Sequence, residues 1–127
     1  MHRTLITALV VLVLSLAICG VSTWAVGSAA RRADAMRVSA ERAANQGDAV
    51  EALRATLAMQ QRWQSDSLWL ELMTSHDALS DVRSAIADAL ACLENGSRAE
   101  FLRASAVIAA ALDRLNATEA VRLMNLF

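Results

Sequence analysis

The sequence predicts an all-α protein, an N-terminal transmembrane helix followed by a small antiparallel helical bundle with a long central helix. Three observations predict it. Alanine is abundant, proline is absent and glycine occurs four times in 127 residues, so helix is favoured nearly everywhere. Residues 5–26, LITALVVLVLSLAICGVSTWAV, run 22 positions without a charge. Beyond them, apolar side chains recur at spacings of three and four, the signature of one buried helix face.

The first element is the apolar run. At ~1.5 Å per residue it spans roughly 33 Å, the thickness of a hydrocarbon core. Arg3 precedes it, and Trp24, Arg31 and Arg32 follow it, where an aromatic and basic anchor belongs at a membrane interface. A cleaved signal peptide would share this layout, ending at the small residues of 25–27 or 28–30. A lipoprotein would attach lipid at Cys19, but Ile18 stands where a small residue is wanted. A retained single-pass anchor over residues 1–27 fits the length best. Positive-inside counting of Arg31, Arg32, Arg37 and Arg42 favours a cytoplasmic domain. The short basic tail before an export-like segment instead matches a signal anchor in the cell membrane, with the domain extracytoplasmic, and this orientation is the expectation.

The helical domain is expected over residues 28–127. A first helix, 28–46, carries the stripe Ala33, Met36, Ala40 and Ala43, and Gly47 ends it. Asp48 with Glu51 forms a capping box, opening a central helix over 48–94 with a kink allowed at 65–67. Its first half presents Val50, Leu53 and Leu57, widened by Ala49, Ala52, Met59 and Trp63, with Thr56 in the second row. Its second half repeats Leu72, Leu79, Ile86 and Leu93 every seven, as in a coiled coil, with Val82 and Leu90 alongside. Asn95-Gly96 is the clearest stop. Ser97 with Glu100 caps a last helix over 97–127, bearing Phe101, Ile108, Leu112 and Leu115, with a bend allowed at 116, where Asn116 and Glu119 form a third capping pair. Short links make consecutive helices antiparallel neighbours. The first helix should return along the front half of the central one, and the last helix along its rear half. The glycosylation-like triplets at Asn95 and Asn116 read better as helix caps.

Composition narrows the function. The formal net charge is −1, and all 12 basic residues are arginines spread among 13 acids, so the concentrated positive stripe of a nucleic-acid binder is missing. Cys19 and Cys92 form neither a disulfide framework nor a zinc cluster, and Cys92 reads as a small buried hydrophobe. In SLWLELMTSHDALSDV (67–82), His76 lies four after Leu72 and three before Leu79, on or beside the buried stripe, and reads as a hydrogen-bonded structural histidine. Asp77, Asp81 and Asp88 share a different, solvated face. The only other histidine is His2, so a metal site of three or four ligands is not expected. Ser75 and Ser80 are near, but nothing marks a nucleophile as activated. No catalysis and no cofactor are therefore expected. Trp63 and Trp69 are six apart, far around the helix from each other, and each is a candidate for core packing.

From Asp48 onward the order of features resembles a family of small bacterial proteins with one membrane helix, domain of unknown function 4363. The residues carrying the likeness are GDAVEAL, Trp63, Trp69 through HDALSDV, the leucine-spaced helix and the closing MNLF. The resemblance implies landmarks at Trp63, Trp69, His76, Asp81, Asn125 and Phe127, and a helical domain on an anchor. It also implies a docked tail, with Phe127 against the central helix and Asn125 bonded to backbone or to His76. It implies no activity.

The function these features favour is a non-enzymatic, membrane-anchored interaction or scaffold protein. Its partners would be the bilayer and another membrane or extracytoplasmic protein, with a homo-oligomer open. The alternatives are a ligand-sensing bundle that acts through a separate partner, or a secreted helical protein released from its signal peptide.

Overall fold

The structure is a computed structural model describing residues 1–126. Every element in it is a helix: α1 His2–Asn45, α2 Ala49–Leu70, α3 His76–Glu94 and α4 Arg98–Leu126. α1 touches α2 and α4, and α3 touches the same two. The links of 46–48, 71–75 and 95–97 are too short to let the chain travel, so consecutive helices run in opposite directions and the four close a ring. The contact between α1 and α4 closes that ring, and the spacing of the sequence does not announce it.

The core is built from four seams that repeat every three and four residues. α1 buries Val26, Ala29, Ala33, Ala40 and Ala43, with Met36 packed against the core between them. α2 buries Ala52, Thr56, Met59, Trp63, Asp66 and Leu70. α3 buries Leu79, Val82, Ile86 and Ala89, and α4 buries Phe101, Ser105, Ile108, Leu112, Leu115 and Glu119. This alternation is the 3.5-residue period of side chains interlocking between helices. Alanine supplies nearly all of the α1 seam, so α1 can approach its neighbours closely while the bulk comes from Trp63, Met59, Phe101 and the leucines. The stripe expected on α2 is rotated. Val50 is 80% exposed and Leu57 40% exposed, because the seam runs through Ala52, Thr56 and Met59 instead.

The continuous central helix over 48–94 is corrected by the structure, and the break is not at 65–67. Residues 65–67 are helical, and the chain turns at 71–75. The amides of Leu72 and Met73 reach back three residues, to Trp69 and Leu70 carbonyls at 3.2 and 2.9 Å, tightening the end of α2. Ser75 then takes an extended backbone (φ −65°, ψ 133°) and its hydroxyl accepts from the Ala78 amide at 3.4 Å, while Asp77 lies in the first turn of α3. Capping by serine with an acid in the first turn is an ordinary helix start. It was present in TSHD without a glycine or proline to advertise it. α4 is corrected in the other sense: the helix runs unbroken through 116, and Asn116 sits within it rather than at a cap.

The remaining ends follow their sequence signals. Gly47 and Gly96 adopt positive φ of 79° and 75°, the left-handed geometry that glycine enters without penalty. Asp48 accepts from the Glu51 amide at 3.0 Å, and Ser97 from the Glu100 amide at 3.3 Å. Glu51 is also hydrogen-bonded to Arg54 at 2.6 and 2.9 Å, which holds its carboxyl below the ordinary range. Removing the caps should rank by geometry. Asp48→Ala is expected to cost ~1 kcal/mol of unfolding free energy, and Ser75→Ala, with its longer bond, less. Thermal melts of the two variants side by side check the order.

Candidate functional site

The feature that most sets this fold apart is the front half of α1. From Leu5 to Ile18 its large apolar side chains are exposed on every side, including Leu5 at 69%, Leu9 at 60%, Leu12 at 55% and Ile18 at 66%. None of the 18-residue apolar window is buried within the molecule. A helix that is apolar all round demands an apolar environment, and this one finds none in its own fold. Packing begins within the apolar run: Cys19, Ser22 and Thr23 are half-buried, and Ala25 and Val26 are 4% and 0% exposed. Trp24 points away from the packed face, 67% exposed. Arg31 is exposed and Arg32 is half-buried. The Arg32 guanidinium turns inward, donating to Ser28 Oγ at 2.8 Å and meeting Asp66 Oδ2 at 3.4 Å.

Asp66 is the least expected member of the core. Its side chain is only 6% exposed, and the same Oδ2 also lies 3.4 Å from Arg62 Nε. A second polar clasp joins α1 to α4. Arg37, only 14% exposed, meets Asp34 at 2.9 Å, Glu41 at 3.0 Å and the buried Ser105 hydroxyl at 3.2 Å. A third polar group sits at the end that faces the apolar half of α1. Arg122 Nη1 donates to the Met73 carbonyl at 2.6 Å and to the buried Glu119 at 3.2 Å. The sequence places none of these polar side chains in a seam: Asp66 falls at the allowed kink and Glu119 in a capping pair.

The residues expected to mark a site are scattered. Trp63 is in the core at 1% exposure, its indole Nε1 donating to the Leu79 carbonyl at 3.3 Å. Trp69 is partly buried against the core. His76 is corrected: it opens α3 with its side chain 66% exposed, off the buried stripe, and Nδ1 lies 3.1 Å from Glu71 Oε1. Leu72, which completed the heptad count leading to His76, is 87% exposed because it stands in the turn and not on a helix. Asp77, Asp81 and Asp88 are all exposed. Asn125 is exposed, and Phe127, on which the expected docked tail turns, lies outside the described residues. Cys92 is partly buried against the core, and Cys19 and Cys92 are both free thiols. Among the described residues no three His, Cys, Asp or Glu side chains converge on one point.

Two of the grooves along α1 also involve α4. One, about 400 Å³, lies between α1 and α4 and is lined by Ala30, Arg31, Asp34, Arg37, Asp113 and Asn116 among others. The other, about 170 Å³, brings Ile18, Cys19, Ser22 and Thr23 of α1 against Leu72, Met73, Glu119 and Arg122. Comparison with family models, with curated proteins and with solved structures finds no match to this chain. The fold and these surfaces are what speak for its role.

Proposed function

We propose that the chain is a membrane-anchored, non-enzymatic helical interaction or scaffold protein. The front of α1 crosses the cell membrane once, and the four-helix bundle stands on the extracytoplasmic side. The observation that carries the anchor is the all-round exposure of the apolar residues from Leu5 to Ile18 beside a domain that has its own core. Retention of the segment, against release by a signal peptidase, is supported by where the core begins. Cleavage after 27 would remove Ala25 and Val26 from the α1 seam, and cleavage after 30 would also remove Ala29 and Ala30, all of them buried. The interaction role draws on the tether, which confines the domain to one surface and raises its effective concentration toward partners there. It also draws on the surface placement of His76 and the partial exposure of Trp69. Membership of domain of unknown function 4363 belongs to the same proposal and adds location without an activity.

Alkaline extraction of native membranes, followed by intact-mass measurement, tests the anchor. Full-length protein should stay in the pellet with residues 1–30 present. Soluble protein lacking them would favour the secreted alternative. Crosslinking in the same membranes tests the role. A single captured protein, lost in a Trp69→Ala or His76→Ala variant that keeps its helicity, is the expected result. No capture at all would count against a scaffold.

The groove between α1 and α4 favours a second reading, a ligand-sensing bundle. It combines the cations Arg31 and Arg37 with Asp34, Asp113 and Asn116. A small molecule that raises the melting temperature of the wild type but not of Asp113→Ala would favour sensing over scaffolding.

A further inference from the structure

The groove that joins Ile18–Thr23 to Leu72, Met73, Glu119 and Arg122 fixes the height of the bundle against its anchor. Ile18 lies eight residues and Thr23 three residues before Val26, the end of the uncharged run. At 1.5 Å per residue the 71–75 turn is therefore level with roughly the last 5–12 Å of that run. A hydrocarbon core needs about 20 residues, and counted from Leu5 these end at about Trp24. Ile18–Thr23 lie one to six residues short of that end, so the turn and the end of α4 reach roughly 1.5–9 Å inside it, into the outer acyl layer beneath the headgroups. α4 continues below the turn, since Arg122 contacts the Met73 carbonyl and four further residues follow to Leu126, a descent of about 6 Å.

The side chains at this level are mixed, with Glu71 and His76 exposed and 3.1 Å apart, and the large apolar ones among them suit that depth. Leu72 is 87% exposed, Met124 77%, Leu68 78%, Trp24 67% and Val121 54%. In water these would form an apolar rim around the stalk, whereas singly exposed leucines elsewhere would need no explanation. The backbone suits it as well. Irregular chain close to lipid requires its polar groups to be paired, and the amides of Leu72, Met73 and Thr74 all donate to Trp69 or Leu70 carbonyls. The Met73 carbonyl is closed by Arg122 at 2.6 Å. Arg122 is itself balanced by buried Glu119, with its side chain 56% exposed, so its aliphatic stem can lie in the apolar layer while the guanidinium stays at headgroup level.

We infer that the membrane-proximal end of the bundle, comprising the 71–75 turn and the last turns of α4, is immersed in the lipid interface around α1. The protein then meets the bilayer on three elements, and the domain is held at a fixed tilt and height instead of swinging on one helix. This rests on the anchor proposed above, and the experiment separates the two.

Full-length protein with Cys19→Ser and Cys92→Ser is given one cysteine at a time, as Leu9→Cys, Val50→Cys, Leu72→Cys or Met124→Cys. Each is nitroxide-labelled and reconstituted in vesicles of phosphatidylcholine and phosphatidylglycerol. All four positions are exposed, so the labels leave the core intact. Collision with dissolved oxygen against a water-soluble nickel chelate reports depth. Positions 72 and 124 are expected to favour oxygen severalfold more than position 50, in the direction of position 9. Labels at 72 and 124 that behave like position 50, with position 9 in lipid, overturn the inference and leave the anchor standing. Position 9 reading as water overturns both. Shielding from both reagents, with spin–spin broadening that grows with protein density, would mean that a second copy covers the rim, and would overturn it also.

Discussion

Replacement of Trp63 by alanine is expected to remove ~3–5 kcal/mol of stability, the cost of emptying a large aromatic site in a packed core. Domains of this size hold about 5–15 kcal/mol in all, so the variant should melt far below the wild type or be unfolded at room temperature. The reason lies in position as much as in size. Trp63 is 1% exposed in the middle of the α2 seam, and its indole N–H donates to the Leu79 carbonyl on α3 at 3.3 Å. Because the N–H···O contact crosses from α2 to α3, the ring helps fix how the two helices lie against each other after the 71–75 turn. Trp63→Phe separates the two contributions. It keeps most of the buried area and loses the donor, at an expected cost of about 0.5–1.5 kcal/mol for the hydrogen bond plus the smaller void. Circular dichroism melts in detergent micelles, with Trp69→Ala as the half-buried comparison, provide the measurement. Equal effects at 63 and 69 would contradict the packing described here.

The same region shows why some of the fold was legible in the sequence and some was not. The ends at Gly47 and Gly96 were legible because a left-handed residue leaves a chemical mark, glycine, at a fixed place after a helix. The seams of α1 and α3 were legible because their apolar spacing continues, and that of α4 was legible at Phe101, Ile108, Leu112 and Leu115 between its polar members. The break at 71–75 was hidden because ELMTS contains no residue that helix refuses, and Leu72 extended a heptad that counts correctly through Leu79, Ile86 and Leu93. What marks the break is the Ser75 cap that opens α3, together with the reach of Trp63 from α2 to the Leu79 carbonyl, and such a contact is invisible in a single strand of letters. His76 was misplaced by the same arithmetic, since a residue counted along an unbroken helix lands on the wrong face once five residues leave it. The polar seam positions were missed for a different reason. Asp66 and Ser105 look like solvent-facing residues until Arg32 and Arg37 of α1 reach them, and Glu119 until Arg122, one turn along its own helix, does.

That last case leads to the second large effect. Asp66 shares one carboxylate oxygen between Arg32 and Arg62 at 3.4 Å each, inside a seam whose neighbouring members are Trp63 and Leu70. Breaking a buried pair from one side is costly because it strands the other charge, by ~3–5 kcal/mol when both are enclosed. Here Arg32 and Arg62 are 39% and 51% exposed and can turn to water, so Asp66→Ala should cost less, about 1–3 kcal/mol. Arg32→Ala with Arg62→Ala should cost more, since it is the enclosed carboxylate that loses both partners. Replacing the cross-helix pair together, as Arg32→Leu with Asp66→Leu, should be neutral or should raise stability by about 1–4 kcal/mol. If stability is not what keeps a charge in the seam, its use is to fix alignment, because a polar group in a 3.5-residue seam penalises every register that leaves it unpaired. α1 makes this necessary, since a run of alanines offers α2 few features by which to choose one height over the next. The doubly apolar variant should therefore melt at least as high as the wild type while its Trp63 and Trp69 indole resonances split or broaden. Single sharp indole signals in that variant would show that the alanine seam and the helix caps set the register without the charge.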